Sequence, residues 1–574
     1  MGDKTKLLHF LCCGITCAVF LAAGCGLPQK AGEPTRHGQD DRGVVAAQAV
    51  VAAAHPLAAK VGLETLKKGG NAIDAAIATA FALGVVEPNA SGLGGGGFAV
   101  VYIASENRSY VVDYRETAPA KAKPDMYRLD DKGRPQGDAA ATGYKAVAVP
   151  GQLRGMETLH KLFGSKPWEE LVTPAVTLSA AGFAASKTLS GIVLDETVRL
   201  QKAPSAKWFE RVFYKDGLPV QPGESVINPE LTESLRKVAK GGADVFYRGE
   251  IADAIVREFA QNGDGFITKE DLAGYKAIVR EPLQGTYRGY TVITVPPPSS
   301  GGLALLEILN IIEGYDIAAM GPGTPDHLHV LIEAQKLAFA DREKYLFAST
   351  GGEPSVAWLA DKGYGAERRR QIAMEKAAVK APPGEARYGS GSTTSFAVVD
   401  RDGNMVAVTQ TINHFMGAGV VPAGTGIILN DEMDDFTPRP GTANSPAAGR
   451  RPFSSMAPAI LVKDGKPFMA IGTPGATRII SALAEIIVNT VDFGMELLPA
   501  IEAPRFHNGN SERTDAEGRI AKDVLRALEE RGHSFNVRNE IDLYFGGAQG
   551  IMRAPGGKLL GAGDPRRDGV AVGY

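Results

Sequence analysis

The order of hydrophobic and polar positions predicts helices packed against sheets. Short apolar runs predict strands, and alanine-rich segments with helical spacing predict helices between them. Gly69 and Gly70 end the first predicted helix, and Asn71 is placed to cap the second. The predicted elements of this part are a buried strand at 44–51, helices at 56–68 and at 72 to about 83, and strands at 98–103 and 110–114.

Farther along the chain, the pattern predicts a mainly helical region and then a hairpin. Residues 150–285 have helical spacing interrupted by loops, and 325–344 predicts a long amphipathic helix. A loose segment rich in Gly, Pro and Ala, residues 377–392, separates these helices from two strands at 396–400 and 405–411. The turn between those strands is Asp402-Gly403-Asn404, a composition typical of hairpins.

Composition and charge exclude several classes of protein. The chain has 574 residues, of which 44% are hydrophobic and 22% charged, which excludes a disordered chain and a polytopic membrane protein. The formal net charge of −3 argues against a nucleic-acid partner. Glycine is abundant at 69 residues, and its clusters indicate tight turns and backbone close to a ligand.

All four cysteines lie within the first 25 residues, so the rest of the chain has no disulfide and no thiolate metal site. Lys4 and Lys6 precede a short apolar run, and small residues stand directly before Cys25, as in a bacterial lipobox. We predict a lipoprotein-type signal peptide at 1–24, a lipid anchor on Cys25 and a polar tether at 25–42. The protein would then be exported to the periplasmic side of a membrane; plain secretion and a retained anchor are the alternatives.

Four motifs imitate common sites and are interpreted as structural. The glycine run 92–97 leads into a strand, not into the helix that a phosphate loop requires. Residues 262–267 imitate a calcium loop, but the first ligand position is not an oxygen donor. His327 and His329 are two residues apart on a helix and face different ways, which argues against zinc. The proline-rich loop 296–302 is rigid, and we predict neither a metal nor an organic cofactor.

The stretch 389–400 carries a chemical signal, although by itself it is more typical of a loop entering a strand. Gly389 and Gly391 make a flexible turn directly before Thr393. A threonine hydroxyl is a poor nucleophile and needs a base, which its own α-amino group supplies once the chain is cut before it. With a pKa of about 8, this amine is partly unprotonated at neutral pH.

Eight motifs follow one another along the chain: GGNAIDAA (69–76), GGGGF (94–98), DYRETAP (113–119), PPSSGG (297–302), TTSFAVVD (393–400), TQTIN (409–413), NDEMDDF (430–436) and RPFSSMAP (451–458). In this order they resemble the γ-glutamyltranspeptidase (glutathione hydrolase) family over about residues 43–574. The resemblance implies an α+β fold of the N-terminal-nucleophile hydrolase class, with two central sheets between helical layers (αββα).

The resemblance also implies self-processing. Thr393 would be the nucleophile, and cleavage between Ser392 and Thr393 would make its α-amine the base. The products would be a large subunit, 43–392, and a small subunit, 393–574, which remain together as a heterodimer in one interlocked domain. Thr411 would hydrogen-bond the nucleophile.

The implied donor site carries both signs of charge, which suits a γ-glutamyl group. The donors of a guanidinium match the two oxygens of a carboxylate. An ammonium has only donors, so it needs acceptors such as carboxylates. Without the resemblance, these residues would be interpreted as a surface salt bridge and a solvated acidic turn. The implied set is Arg115, Ser454 and Ser455 for the α-carboxylate, Asn413, Glu432 and Asp435 for the α-ammonium, and backbone N–H groups of Gly475 and Ala476 for the oxyanion.

Three features depart from the family pattern. Ser395 stands where a histidine is usual, and Ala476 replaces a glycine. The segment 437–450 is short and lacks the long aromatic-bearing lid of some members. Such an open site would admit water and larger substrates, so hydrolysis is expected at least as much as transfer.

The implied reaction needs no cofactor. Thr393 would take the γ-glutamyl group of a donor such as glutathione as an ester, and water, an amino acid or a peptide would then accept it. One alternative is an acylase of the same fold that acts on a cephalosporin side chain or on poly-γ-glutamate. Another is an uncleaved lipoprotein that binds γ-glutamyl compounds without turnover.

Overall fold

The computed structural model describes residues 42–347, 356–378 and 391–574. The predicted signal peptide, the Cys25 anchor, all but the last residue of the tether and most of the loose segment 377–392 lie outside these residues. In the described part of the chain, no helix is long and apolar enough to cross a membrane.

The strands, in chain order, are β1 (Gly43–Ala46), β2 (Val50–Ala53), β3 (Gly96–Ile103), β4 (Arg108–Asp113), β5 (Phe183–Ala184), β6 (Tyr214–Lys215), β7 (Leu218–Pro219), β8 (Ser225–Val226), β9 (Ile278–Arg280), β10 (Leu283–Tyr287), β11 (Tyr290–Thr294), β12 (Gly391–Val399), β13 (Met405–His414), β14 (Ala459–Lys463), β15 (Lys466–Gly472), β16 (Phe506–His507), β17 (Thr514–Ala516), β18 (Phe535–Val537), β19 (Gln549–Arg553), β20 (Leu559–Gly563) and β21 (Val570–Gly573).

The α-helices are α1 (Pro56–Lys67), α2 (Ala72–Val86), α3 (Gln152–Phe163), α4 (Trp168–Ala181), α5 (Lys187–Asp195), α6 (Thr197–Leu200), α7 (Ala206–Phe213), α8 (Pro229–Gly241), α9 (Asp244–Tyr247), α10 (Glu250–Asn262), α11 (Lys269–Gly274), α12 (Gly301–Ile312), α13 (Ile317–Met320), α14 (Pro325–Arg342), α15 (Lys362–Arg369), α16 (Arg478–Val491), α17 (Leu497–Glu502) and α18 (Lys522–Glu530).

Two seven-stranded antiparallel sheets form the centre. One has the strand order β1-β20-β19-β15-β14-β11-β10, and the other β21-β2-β12-β13-β3-β4-β9. Each sheet contains strands from both sides of residue 392, so the two predicted subunits share both sheets. The strands β16-β17-β18 form a separate three-stranded sheet, and β5-β8 and β6-β7 form two short ribbons.

Strand β12 shows how the layers are held together. Its side chains alternate between the two faces of the sheet, as the strand period requires. Ala397 and Val399 share a core with Ile471 of the other sheet and with helices α12, α14 and α16. Phe396 and Val398 share a core with helices α1, α2, α3 and α4. The resulting order is helices, sheet, sheet, helices, and the α+β prediction of an αββα sandwich is confirmed.

Several local predictions are confirmed and two are wrong. Helix α2 begins behind Asn71, whose side chain and that of Asp74 form a reciprocal capping box. The hairpin β12–β13 forms with its turn at Asp402-Gly403-Asn404. The run 44–51, however, is two strands in different sheets, because the N–H groups of Gln48 and Ala49 turn to the carbonyl of Tyr574 between them.

Helix α14 is not amphipathic. Nearly all its residues are buried, including Glu333, Lys336 and Arg342. The burial is tolerated because its charged side chains have partners; the Lys336 ammonium, for example, lies 2.7 Å from the Glu333 carboxylate. A charged helix of this kind cannot be distinguished by its pattern from one with a solvated face.

Candidate active site

The two threonines of the predicted nucleophile pair lie side by side on neighbouring strands. Thr393 on β12 opposes Thr411 on β13, and a register shift interrupts the ladder between Ser392 and Thr393. The Thr393 hydroxyl donates to the Thr411 oxygen over 3.3 Å, and the backbone N–H of Asn413 donates to the same oxygen over 2.8 Å. Thr393 is only 4% exposed in this unprocessed chain. The hydroxyl is therefore held within a strand pair, where its position depends on backbone register.

Arg567 holds the backbone of Thr393, a role that sequence reasoning missed. Its Nη1 donates to the Thr393 carbonyl over 2.6 Å and lies 3.5 Å from the Glu87 carboxylate. Burial raises the pKa of Glu87 to about 7, and the nearby guanidinium opposes that rise. The only sequence signal is the charged cluster 564–568 between two short apolar runs.

Ser395, one of the departures, packs between the two sheets. Its hydroxyl donates to the Val408 carbonyl over 2.7 Å. A Cβ at Gly472 of the facing sheet would lie 2.1 Å from the Ser395 oxygen. The space around Ser395 suits a small side chain, and a histidine there would need the facing strand to move.

The predicted oxyanion turn joins β15 to helix α16. Gly475 has φ of +127° and Ala476 φ of +50°, so Ala476 adopts the left-handed conformation despite its Cβ. This conformation costs roughly 1–2 kcal/mol for a non-glycine residue. The turn directly precedes the positive N-terminal end of α16, where backbone N–H groups favour negative charge.

The charged residues of the predicted donor site pair with one another. Arg115, 1% exposed, forks onto Glu432 through Nη1 and onto Asp435 through Nη2, and also donates to the Phe453 carbonyl over 3.0 Å. Burial opposes the positive charge, but the two carboxylates outweigh it and raise the pKa of Arg115. We call Arg115, Glu432 and Asp435 the donor cradle.

The cradle has more carboxyl groups than guanidinium groups. Glu116, also buried, lies 3.7 Å from Arg115, and burial raises the pKa of Glu116 to about 8. Within the described residues, one carboxyl oxygen of Glu432 has no hydrogen-bond partner. A buried, unpaired carboxylate oxygen is costly, and an added cation such as an ammonium would relieve that cost.

Ser454 and Ser455 lie in the segment that leads into strand β14, and this segment contacts the loop before helix α12. The Ser454 carbonyl accepts from the Ser300 N–H over 2.8 Å, and the Ser454 hydroxyl accepts from the Met456 N–H over 3.1 Å. The Ser455 hydroxyl accepts from Arg342 over 2.8 Å. The loop that the sequence marked as rigid therefore braces the predicted carboxylate site.

A cavity of about 470 Å³ brings several of these residues together. Asn413, Asp435, Ser455 and Ala476 all line it, whereas Thr393 is buried and does not. The short segment 437–450 folds against the rim, where the Asn444 amide donates to the Asp435 carbonyl over 2.7 Å. The short segment predicted to lack a long lid is thus tied by a hydrogen bond to the residues at the rim.

Three buried side chains, His329, Glu333 and His533, are close enough to share a metal ion. Several of their polar atoms are already hydrogen-bonded, although the Nδ1 of His533 has no hydrogen-bond partner among the described residues. The rings of His329 and His533 are hydrogen-bonded to each other over 2.8 Å, and Glu333 accepts from Lys336 over 2.7 Å. The His329 ring also contacts the Ala373 carbonyl over 2.9 Å, so these side chains form a hydrogen-bonded cluster.

Comparisons with known proteins agree with this architecture. The profile of the family described as Gamma-glutamyltranspeptidase matches residues 58–574. The glutathione hydrolase proenzyme of Escherichia coli is 40% identical over 551 residues, 92% of this chain and 93% of that protein. A Pseudomonas protein named acylase ACY 1 proenzyme is 41% identical over 523 residues, 90% of this chain and 92% of its own.

Among solved structures, the cephalosporin acylase from Bacillus halodurans superposes with a TM-score of 0.85 at 33% identity, covering 95% of this chain and 99% of that one. The similarity in sequence and in fold extends over nearly the whole described chain. The protein belongs to the gamma-glutamyltranspeptidase family.

Proposed function

We propose that this protein is a self-processing γ-glutamyl hydrolase and transferase that uses Thr393 as its nucleophile. The observation that carries the proposal is the 3.3 Å contact between the Thr393 and Thr411 hydroxyls, on strands that lead to a cavity lined by Asn413 and Asp435. Glutathione is the proposed donor, and the relatives named glutathione hydrolase proenzyme support it.

Self-cleavage creates the catalytic base. The Thr393 oxygen attacks the Ser392 carbonyl, the peptide C–N bond breaks, and an ester forms in its place. Water then hydrolyses that ester, which leaves a carboxylate on Ser392 and a free α-amine on Thr393. The result is the processed two-subunit enzyme that the proenzyme relatives imply.

Turnover repeats the same chemistry on the donor. The α-amine takes the Thr393 proton as the oxygen attacks the γ-amide carbon, and the leaving amine carries that proton away. The developing oxyanion is stabilised by backbone N–H groups at Gly475 and Ala476. Water or an amino acid then attacks the γ-glutamyl ester, which restores the threonine.

The donor cradle recognises the zwitterionic end of the substrate. Its ion pairs open to admit a donor, so Arg115 exchanges carboxylate partners while Glu432 and Asp435 exchange a guanidinium for an ammonium. Every buried charge keeps a partner in that exchange. A neutral acyl group would offer no such replacement, which disfavours it as a donor.

Competition between amides tests this function. Purified processed enzyme is given γ-glutamyl-p-nitroanilide together with glutathione, poly-γ-glutamate or a glutaryl amide of a cephalosporin nucleus. Strong inhibition by glutathione is expected. Preferential cleavage of the glutaryl amide, with little γ-glutamyl turnover, would instead identify an acylase.

We also propose that Cys25 carries a lipid anchor and that the enzyme acts on the periplasmic side of a membrane. The support is the sequence of residues 1–25 alone. Labelling with a radioactive fatty acid should mark the protein, and Cys25→Ala should abolish the label. A labelled Cys25→Ala protein would contradict the proposal.

A further inference from the structure

Arg342, the last residue of helix α14, lines the same cavity as Ser455. Its Nε donates to the Ser300 hydroxyl over 2.7 Å, and its Nη2 to the Ser455 hydroxyl over 2.8 Å. The Phe347 ring lies 4.5 Å from the guanidinium carbon. With only 4% of its surface exposed, Arg342 is held in one position.

The direction of these hydrogen bonds determines where each serine proton points. Arginine has only donors, so both hydroxyl oxygens must accept from it. Ser300 uses its own proton to donate to the Ser454 carbonyl over 2.6 Å. Among the described residues, the Ser455 hydroxyl makes one hydrogen bond, in which it accepts from Arg342, and Ser455 lines the cavity.

The Ser455 hydroxyl is therefore available to donate to a ligand in the cavity. A guanidinium behind the oxygen polarises the O–H bond and strengthens it as a donor toward a negatively charged group. Arg115 differs from Arg342 in its partners. Arg115 donates to the carboxylates of Glu432 and Asp435, whereas Arg342 donates to the hydroxyls of Ser300 and Ser455. The Ser455 hydroxyl, held by Arg342, supplies a prearranged donor at the cavity.

We infer that Arg342 is a positioning residue for the α-carboxylate of the donor, acting through the Ser455 hydroxyl. This inference rests on the proposed γ-glutamyl function and deepens it. Arg342 sets the direction of the Ser455 proton and ties Ser455 to Ser300 in the loop before α12. Its contribution is to donor binding, and the bond-making step at Thr393 does not depend on it.

The test compares two donors that differ only in the α-carboxylate. For Arg342→Gln, the KM of γ-glutamyl-p-nitroanilide is expected to rise about 10- to 100-fold, as for loss of a hydrogen bond to a charged group. The kcat should stay within about threefold. With 4-aminobutyryl-p-nitroanilide, which lacks the α-carboxylate, the substitution should leave kcat/KM unchanged.

Three further variants separate this role from a structural one. Arg342→Lys keeps the charge but reaches fewer hydroxyls, so an intermediate KM is expected. In a Ser455→Ala background, Arg342→Gln should add little, because the arginine acts through that hydroxyl. Arg288→Gln removes another multiply bonded guanidinium, outside the cavity, and should leave KM unchanged.

An unchanged KM in Arg342→Gln, or an equal loss with both donors, would overturn the inference. Self-cleavage on a denaturing gel reports correct folding of each variant, and if Arg342→Gln fails to process, Arg342→Lys decides the same comparison. Failure of the proposed function would look different, since the unaltered enzyme would then not turn over γ-glutamyl-p-nitroanilide.

Discussion

The nucleophile region and the donor cradle are constructed in opposite ways. Thr393 and Thr411 are neutral side chains on adjacent strands, and strand register sets their separation. The cradle is formed by residues after a strand end and on a short turn, which are held together by ion pairs. One region depends on backbone geometry and the other on charge.

The two regions are expected to have different roles, the nucleophile region in the reaction and the cradle in binding the substrate. Buried ion pairs contribute little net stability, because desolvation cancels most of their attraction. The cradle is therefore better explained as a set of charges kept for a charged ligand than as a support for the fold. Substitutions at the nucleophile should affect processing and kcat, whereas substitutions in the cradle should affect binding of the donor.

The largest expected effect is at the nucleophile. Thr393→Ala removes the attacking oxygen and should abolish self-cleavage and reduce turnover by at least about 1000-fold. A denaturing gel and an anilide assay measure both. Thr394→Val, a change at the neighbouring buried hydroxyl, should still process. An active Thr393→Ala protein would refute the mechanism.

The cradle should respond differently. Arg115→Gln leaves Glu432 and Asp435 without their partner, and kcat/KM for γ-glutamyl donors should fall about 100-fold through lost charge-assisted bonds. Self-cleavage should continue, because Thr393 and Thr411 are untouched. Arg108→Gln, at the start of strand β4, breaks an exposed pair with Glu281; it is the matched control and should change neither. Normal turnover by Arg115→Gln would exclude its assigned role.

His414 links the two regions and should give the protein a pH dependence. Its Nδ1 lies 2.5 Å from the carboxylate of Asp431, next to Glu432. Burial lowers the pKa of His414, but the Asp431 carboxylate outweighs it and raises that pKa to about 9. The pKa of His414 is therefore higher in the folded protein than the value of about 6.5 in the unfolded chain. The protonated His414 stabilises the fold fully below about pH 6.5, and this stabilisation is lost as the pH rises through about 9.

Melting curves between pH 6 and pH 10 measure this effect. The unaltered protein should melt a few degrees above His414→Gln at the acidic end, and the difference should shrink as the pH rises. A difference that stays constant over the whole range would show that protonation of His414 does not contribute.

The smallest expected effect is at Ala476. Ala476→Gly removes the strain of a non-glycine residue in the left-handed conformation. It should raise the free energy of unfolding by at most about 1 kcal/mol and leave kcat nearly unchanged. Ala482→Gly within helix α16 should have the opposite sign. Chemical denaturation of both variants checks the comparison, and destabilisation by Ala476→Gly would argue against strain at this turn.

The sequence predicted the parts of this molecule that local rules govern. The capping box at Asn71 and the turn of the β12–β13 hairpin depend on neighbouring residues. The candidate site came from the family resemblance, since residues as distant as Arg115 and Glu432 have no local pattern that joins them. Arg342 and Arg567 were missed because each acts through a contact that only the folded chain creates.

Sequencing of the smaller fragment of the purified protein tests the central claim most directly. The account predicts two bands on a denaturing gel, with the smaller one beginning Thr-Thr-Ser-Phe. Such a start would place the α-amine on Thr393, beside the Thr411 hydroxyl. A single intact chain with γ-glutamyl turnover, or a fragment that begins elsewhere, would contradict the assignment of Thr393 as nucleophile and base.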